Sequence, residues 1–152
     1  MSVWRPRSVV RPIAIGIVRR GDELLLMVVR SDDSAIKGYR PLGGSIEFGE
    51  RAADALKREF AEELGLAIAE PALLTVLENL YTHHGTPGHE IVLVFETSFA
   101  DESAYRSEGF SYEDGGVRND VAWVALARFR AGEADLFPEG LLAHLTGKLE
   151  RG

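Results

Sequence analysis

The segment from Glu50 to Leu64 has neither glycine nor proline and is followed by Gly65, so it predicts a helix closed by a glycine C-cap. At 100° per residue and with Glu59 at zero, its acidic side chains lie between roughly 300° and 40° and its apolar side chains between roughly 60° and 140°, so they form two stripes. One stripe is apolar and contains Leu56 and Phe60; the other is acidic and contains Glu59, Glu62 and Glu63. Such a helix must cover another layer with its apolar stripe.

Five apolar or β-branched runs supply that second layer. The first two flank the turn pair Gly21-Asp22 and predict a β-hairpin. The third and fourth lie on either side of the polar segment THHGTPGH. The runs are IAIGIV from Ile13, ELLLMVVR from Glu23, LLTVLENLY from Leu73, EIVLVFETSF from Glu90 and VAWVAL from Val121.

Two polar segments, SDDSAIKGYRPLGG (31–44) and residues 101–120, contain glycine and predict loops. PEGLLAHLTGKLE at the end predicts a second helix, with Pro138 at its start. One face of that helix is apolar and contains Leu141, Leu142, Leu145 and Leu149. Strands interleaved with two helices predict one α/β or α+β layered domain over residues 1–152.

Composition excludes several classes of protein. The 152 residues include no cysteine, which rules out disulfides and thiolate metal sites and is in keeping with a cytoplasmic protein. A net charge of −7 argues against binding a nucleic-acid polymer. The chain also lacks an apolar run long enough for a membrane span, so we expect no membrane partner.

The acidic stripe has two interpretations. Most charge runs on helices are simply solvated. In a cleft with an effective dielectric near 20, however, each pair of like charges about 5 Å apart costs about 3 kcal/mol. A cation would relieve that repulsion, and carboxylate oxygens are the ligands that Mg²⁺ prefers.

The spacing around these acids resembles a known signature. Gly44, then five residues, Glu50, seven residues and the run REFAEELGL from Arg58 to Leu66 match the Nudix box G-x5-E-x7-R-E-U-x-E-E-x-G-U at every position, where U is apolar. The resemblance implies an α/β/α sandwich with a mixed central sheet, in which the box forms a loop-helix-loop.

The resemblance also implies a function. Nudix hydrolases use Mg²⁺ or Mn²⁺ to cleave a nucleoside diphosphate linked to another moiety X, so the expected substrate is a small phosphorylated molecule of nucleotide, dinucleotide or nucleotide-sugar type. A non-hydrolytic nucleotide sensor on the same fold is the alternative. An isoprenoid diphosphate isomerase would want a catalytic cysteine, which the chain lacks.

Transferred residue by residue, the resemblance assigns roles within the box. Glu59 or Glu62 would assist the proton transfer, Glu50 would act as a nearby acid or an occasional ligand, and Arg58 would orient the carboxylates. The implied metal ligands are the carbonyl of Gly43 and the side chains of Glu59, Glu62 and Glu63.

Outside the helix, several candidates stay open. Arg40 either binds substrate phosphate or is an exposed loop arginine, and Gly43-Gly44 suits a loop whose backbone, Gly44 included, approaches the substrate closely. One later acid would assist as ligand or base, and the candidates are Glu113, Asp114 and Asp120. The histidines of THHGTPGH predict a polar rim rather than a second metal. A homodimer is compatible with the family.

Overall fold

The computed structural model describes residues 4–150, and side chains only as far as residue 145. Within that range the chain forms seven strands, three α-helices and a short 3-10 helix (Glu102–Arg106). The strands are β1 (Val10–Arg20), β2 (Glu23–Arg30), β3 (Ile36–Ser45), β4 (Ala72–His83), β5 (Thr86–Thr97), β6 (Gly109–Asp114) and β7 (Val117–Ala125). The α-helices are α1 (Ala52–Leu64), α2 (Leu126–Arg130) and α3 (Leu141–Glu150).

All seven strands belong to one mixed sheet in the order β4-β5-β1-β3-β2-β7-β6. The pairing of β1 with β5 is parallel, and the other pairings are antiparallel. The predicted β1–β2 hairpin is confirmed by the pairing of Arg19 with Leu24. No helix in the described part of the chain is long and apolar enough to cross a membrane.

Alternating side chains of β1 contribute to two separate cores, one on each face of the sheet. Ala14 and Val18 pack with the α1 side chains Leu56 and Phe60. The opposite core joins β1 to α2 and α3 and contains Ile13, Ile15, Ile17, Leu126, Phe129, Leu141 and Leu145. Helices on both faces confirm the predicted α/β/α sandwich with a mixed sheet.

Helix α1 begins two residues later than Glu50 but ends as predicted. Gly65 adopts a left-handed conformation with φ of 68°, and its N–H donates to the Ala61 carbonyl oxygen. Under the helix, a Cβ at Gly16 would lie 3.1 Å from Leu56 and 3.2 Å from Phe60. The bare glycine backbone therefore lets α1 sit close to β1, over the centre of the sheet.

Both segments predicted as loops contain strands. Residues 36–45 form β3, and residues 101–120 contain the short 3-10 helix, β6 and the start of β7. Most of THHGTPGH belongs to β4 and β5, so the turn there is confined to His84-Gly85. The last helix begins at Leu141, after Pro138, and Leu141 and Leu145 are fully buried. Leu149 lies outside the described side chains.

Candidate active site

Arg58 lies at the centre of the acidic stripe of α1. Its Nε and Nη2 donate to the two carboxylate oxygens of Glu50 at 2.8 and 2.9 Å. Its Nη1 donates to Glu59 at 3.0 Å and to Glu62 at 3.3 Å, and Nη2 also donates to the Ser45 carbonyl oxygen at 3.0 Å. One guanidinium thus binds three carboxylates and the end of β3.

These contacts shift the pKa values of the groups in the cluster. Hydrogen bonds from Arg58 hold the pKa of Glu50 down at about 2, and the carboxylates raise the pKa of Arg58 further above its usual range. Glu50 therefore stays ionised. The predicted roles of Glu50 as a nearby acid and of Arg58 as an orienting partner have a matching geometry, in which Arg58 fixes three carboxylates at once.

Glu63 is the acid that Arg58 does not reach. Its Oε2 is buried and has no hydrogen-bond partner among residues 4–145. Burial, followed by the neighbouring Glu59 carboxylate, raises the pKa of Glu63 to about 8, although the Tyr112 hydroxyl and the charge of Arg40 act in the opposite direction. A buried carboxylate oxygen without a donor is a site that a cation would satisfy.

The glycines before the helix make room for these carboxylates. A Cβ on Gly44 would lie 2.6 Å from Cδ and Oε1 of Glu59, so only glycine leaves that carboxylate in place. At Gly43, φ is 151° and a Cβ would lie 2.0 Å from the Ala14 carbonyl oxygen. The two glycines therefore serve close packing against Glu59 and against β1.

Arg40 lies on β3 opposite Met27 rather than on a loop. Its partly buried side chain makes no hydrogen bond or ion pair with the rest of the described chain. Burial raises the pKa of both Glu63 and Tyr112, and the positive charge of Arg40 partly opposes that rise, which places Arg40 near the acidic stripe. A free guanidinium at this position is available to an anionic ligand.

The three later acids occupy different surroundings. Asp120 is paired with Arg30 at 3.3 Å and Arg118 at 3.1 Å. Glu113 and Asp114 are exposed at the end of β6, and of the two only Asp114 acts on a residue of the cluster, since its charge raises the pKa of Tyr112. Asp114 is thus the later acid with an electrostatic link to Tyr112.

Tyr112 is a site residue that the sequence did not identify as a partner of the acids. It lies on β6, its hydroxyl donates to the Met27 sulfur at 3.1 Å, and it interacts with Glu63. Burial followed by the charge of Glu63 raises the pKa of Tyr112 above its usual range, so the hydroxyl keeps its proton. Period-two alternation along GFSYED was the signal for a strand that would point Tyr112 inwards.

The histidines of THHGTPGH form no metal-binding group in the structure. The Nδ1 atom of His84 lies within hydrogen-bond distance of the Asp32 carboxylate in the β2–β3 loop, and the His84 ring lies 4.0 Å from that of His83. Burial, with the charge of His84 next in size, lowers the pKa of His83 to about 4. The contact between His84 and Asp32 thus joins the β4–β5 turn to the β2–β3 loop.

Across the described residues, no three histidine or acidic side chains are already arranged as a complete metal site. The reason is local, because Glu59 and Glu62 both turn towards Arg58. Their donor type nevertheless fits a hard divalent cation, which takes oxygen ligands. The unpartnered Oε2 of Glu63 fits it as well.

Comparisons with known proteins agree on one family. Residues 10–145 match the family model described as NUDIX domain. Nucleoside triphosphatase NudI of Escherichia coli O139:H28 is 30% identical over 128 residues, which cover 79% of this chain and 82% of NudI.

Solved structures share the fold. A NUDIX hydrolase from Nitrosomonas europaea aligns with a TM-score of 0.65 and 20% identity over 91% of this chain and 87% of its own. A MutT NUDIX hydrolase from Burkholderia pseudomallei aligns with a TM-score of 0.59 and 22% identity over 79% and 86% of the two chains. The resemblance seen in the box is confirmed by these matches, and the chain belongs to the Nudix hydrolase family.

Proposed function

We propose that the protein is a divalent-metal-dependent pyrophosphohydrolase that cleaves a nucleoside diphosphate linked to another moiety. One observation carries the proposal: the acidic stripe has more carboxylates than Arg58 can neutralise, and one of them ends in a buried oxygen without a donor. Members of the Nudix family generally use a divalent metal. A Mg²⁺ or Mn²⁺ ion would supply the missing positive charge.

In this proposal the ion is held by side chains of α1. Glu59, Glu62 and Glu63 lie on one stripe of the helix, and the backbone carbonyl of Gly43 completes the set of candidate ligands. Arg58 keeps Glu59 and Glu62 in register when no ion is bound. When bound, the ion supplies positive charge to the phosphate oxygens and makes water more acidic.

The remaining chemistry belongs to the protein. Arg40 makes no ion pair with the side chains of residues 4–145, so its guanidinium is free to bind a phosphate of the substrate. Glu59 or Glu62 accepts the proton of the attacking water, since a carboxylate is a suitable base. Gly44 lets the backbone of β3 come close to Glu59 and to the substrate.

The substrate class follows from the relatives only in outline. Because NudI is named a nucleoside triphosphatase, nucleoside triphosphates are the first class to test, followed by dinucleotides and nucleotide sugars. A cytoplasmic location, where such substrates are found, is part of the same proposal, as is the possibility of a homodimer.

The test is a panel assay for phosphate and pyrophosphate products with Mg²⁺, with Mn²⁺ and with chelator. The parent is compared with Glu62→Gln and with the control Glu70→Gln, whose side chain is exposed and paired with Lys57 at 2.6 Å. Glu62→Gln should lower kcat by about 100-fold or more, because even partners of ligands are typically worth 10- to 100-fold. Glu70→Gln should match the parent.

Two results would overturn the proposal. One is turnover that persists in chelator or in Glu62→Gln. The other is binding of a nucleotide without turnover of any compound on the panel, which would favour a sensor on the same fold.

A further inference from the structure

Glu90 is the buried charged side chain of the described structure, with 3% of its surface exposed. It lies on β5 and faces three donors. Asn79 donates to its Oε1 at 3.2 Å, Tyr81 donates to its Oε2 at 3.2 Å, and Arg11 reaches Oε2 at 3.5 Å. A buried carboxylate persists only when it is bonded in this way.

Arg11 connects Glu90 to the strand that leads into the Nudix box. The backbone register places Arg11 of β1 beside Glu90 and places Ile13 beside Ser45 of β3. While Nη1 of Arg11 faces Glu90, its Nε donates to the Ser45 hydroxyl at 2.7 Å. One guanidinium therefore joins β5 to the end of β3.

Ser45 is also the residue that anchors Arg58. Its hydroxyl accepts from Arg11, and its backbone carbonyl accepts from Nη2 of Arg58 at 3.0 Å. Arg58 in turn holds Glu50 and Glu59. The contacts thus run without a gap from Glu90 through Arg11, Ser45 and Arg58 to the carboxylates.

We propose that Glu90 and Arg11 are positioning residues for the acidic stripe, acting through Ser45 on Arg58. Their function is to fix the end of β3, and with it the carbonyl that sets the position of the Arg58 guanidinium. The inference deepens the proposed function and rests on it.

The alternative is that Arg11 merely neutralises Glu90 to stabilise the sheet. The chemistry of arginine distinguishes the two roles. A guanidinium has separate donors on Nε and Nη1 in a rigid fork, so Arg11 can bond Ser45 and Glu90 together. Lysine is a single point charge that can neutralise Glu90 but does not reproduce the fork.

The variants follow from this difference. Arg11→Lys keeps the charge beside Glu90 and loses the bridge, and Ser45→Ala removes the hydroxyl but keeps the carbonyl that binds Arg58. Glu90→Gln removes the charge at the origin of the series. The control is Glu23→Gln, which breaks a surface pair with Arg20 (2.8 Å) at the start of β2.

Each protein would be titrated with Mn²⁺ alone, followed by electron paramagnetic resonance, and its melting temperature and kcat on the best panel substrate would be measured. Arg11→Lys and Ser45→Ala should each weaken Mn²⁺ binding by about 3- to 10-fold, less than the loss of a direct partner of a ligand, because Ser45 is one residue and Arg11 two residues beyond Arg58 in the series of contacts. Both should melt near the control. The double variant should bind no more weakly than either single variant, because both break one link.

The outcomes separate this inference from the proposed function. If Arg11→Lys and Ser45→Ala bind Mn²⁺ and turn over substrate like the control, the positioning role is wrong even when the parent is an active hydrolase. If the parent turns over nothing while both variants bind Mn²⁺ more weakly, hydrolysis is wrong and the positioning role stands. Should Glu90→Gln unfold, Arg11→Lys and Ser45→Ala still decide.

Discussion

The molecule treats its glutamates in two opposite ways. On β5, the single carboxylate of Glu90 is buried and receives hydrogen bonds from an arginine, an amide and a hydroxyl. On α1, several carboxylates share the one guanidinium of Arg58, and Glu63 keeps a buried oxygen without a donor. The first arrangement is satisfied, whereas the second is short of positive charge.

The contrast indicates what each cluster is for. A buried carboxylate with all its donors in place contributes to a unique, stable packing. An acid whose pKa is raised by burial and by a neighbouring carboxylate, as that of Glu63 is, is costly to the fold and is typical of functional sites. On α1, the loss of stability from placing several carboxylates together is tolerated because the same acids are available to bind a cation.

Removing the positive charge of Arg58 should have the largest effect on stability. Arg58→Met removes the arginine donor from both Glu50 and Glu59 and, among the described residues, leaves Glu50 with only the Glu47 N–H, at 3.1 Å. Both carboxylates are largely buried, with 18% and 17% of their side chains exposed. We expect the free energy of unfolding without metal to fall by about 2–3 kcal/mol, less than for a fully buried pair. Urea denaturation monitored by circular dichroism measures it.

Lys57→Met is the matched control, one residue away on the same helix. Its partner Glu70 has 72% of its side chain exposed, so Lys57→Met should lower the free energy of unfolding much less than Arg58→Met does. Equal losses in the two variants would show that Arg58 is only another surface ion pair.

The pH dependence of stability should show the next largest effect. The folded chain holds the pKa of Glu63 at about 8, against an ordinary value of 4.5. Between these pH values the folded state keeps a proton on Glu63 that the unfolded state has released. The stabilisation that Glu63 gives the folded state is therefore fully present below about pH 4.5 and is lost as the pH rises through about 8. The metal-free protein should lose at least about 1 kcal/mol over this range, or roughly 3 °C in melting temperature.

Glu63→Gln removes the titrating group and serves as the comparison. Its melting temperature should depend less on pH than that of the parent above about pH 5, where Glu50 with its pKa of about 2 no longer titrates. Parallel curves for parent and variant would contradict the assignment of the raised pKa to Glu63. Differential scanning calorimetry in chelator gives both curves.

The sequence identified the acidic cluster because its information is local. The helix, its C-cap at Gly65 and the spacing of Glu59, Glu62 and Glu63 all lie within one short segment, and the structure has the helix and the cap there. Their roles as ligands stay predictions. The apolar runs and the two predicted helices indicated a layered domain of strands and helices, and the α/β/α arrangement came from the resemblance of the box to the Nudix signature.

The strand β3 was missed because the residues that permit close packing also resemble a loop. Pro41, Gly43 and Gly44 are poor strand formers in isolation. In the fold, Gly43 lies against the Ala14 carbonyl oxygen and Gly44 lies against Glu59. Packing between β1, β3 and α1 therefore selects residues that propensity assigns to turns.

The second polar segment was misread for a similar reason. Its polar residues and glycines predicted a loop, but Gly115 and Gly116, with φ of 59° and 81°, form only the turn between β6 and β7. The sequence did not identify Glu90 as the centre of a polar cluster, because its partner Arg11 is 79 positions away in the chain. Only the register of β1 against β5 brings the two together.

The smallest expected effect concerns Glu90, the buried carboxylate that has all its donors. Tyr81 donates to Glu90, and burial, followed by the charge of Glu90, raises the pKa of this tyrosine to about 12, so the hydroxyl remains a donor at neutral pH. Tyr81→Phe should cost about 1 kcal/mol in the free energy of unfolding. Because Arg11 still holds both Glu90 and Ser45, the stabilisation that Mg²⁺ gives by binding the folded state should be unchanged.

Urea denaturation with and without Mg²⁺ measures both quantities for Tyr81→Phe. Tyr105→Phe is the comparator, since it removes a neutral hydrogen bond from the Phe99 N–H at 2.8 Å, far from Glu90. If Tyr81→Phe also reduced the stabilisation by Mg²⁺, the donors of Glu90 would act as one unit on the acidic stripe. If it did not, Arg11 alone would connect Glu90 to the acidic stripe of α1, and the other donors of Glu90 would contribute only to stability.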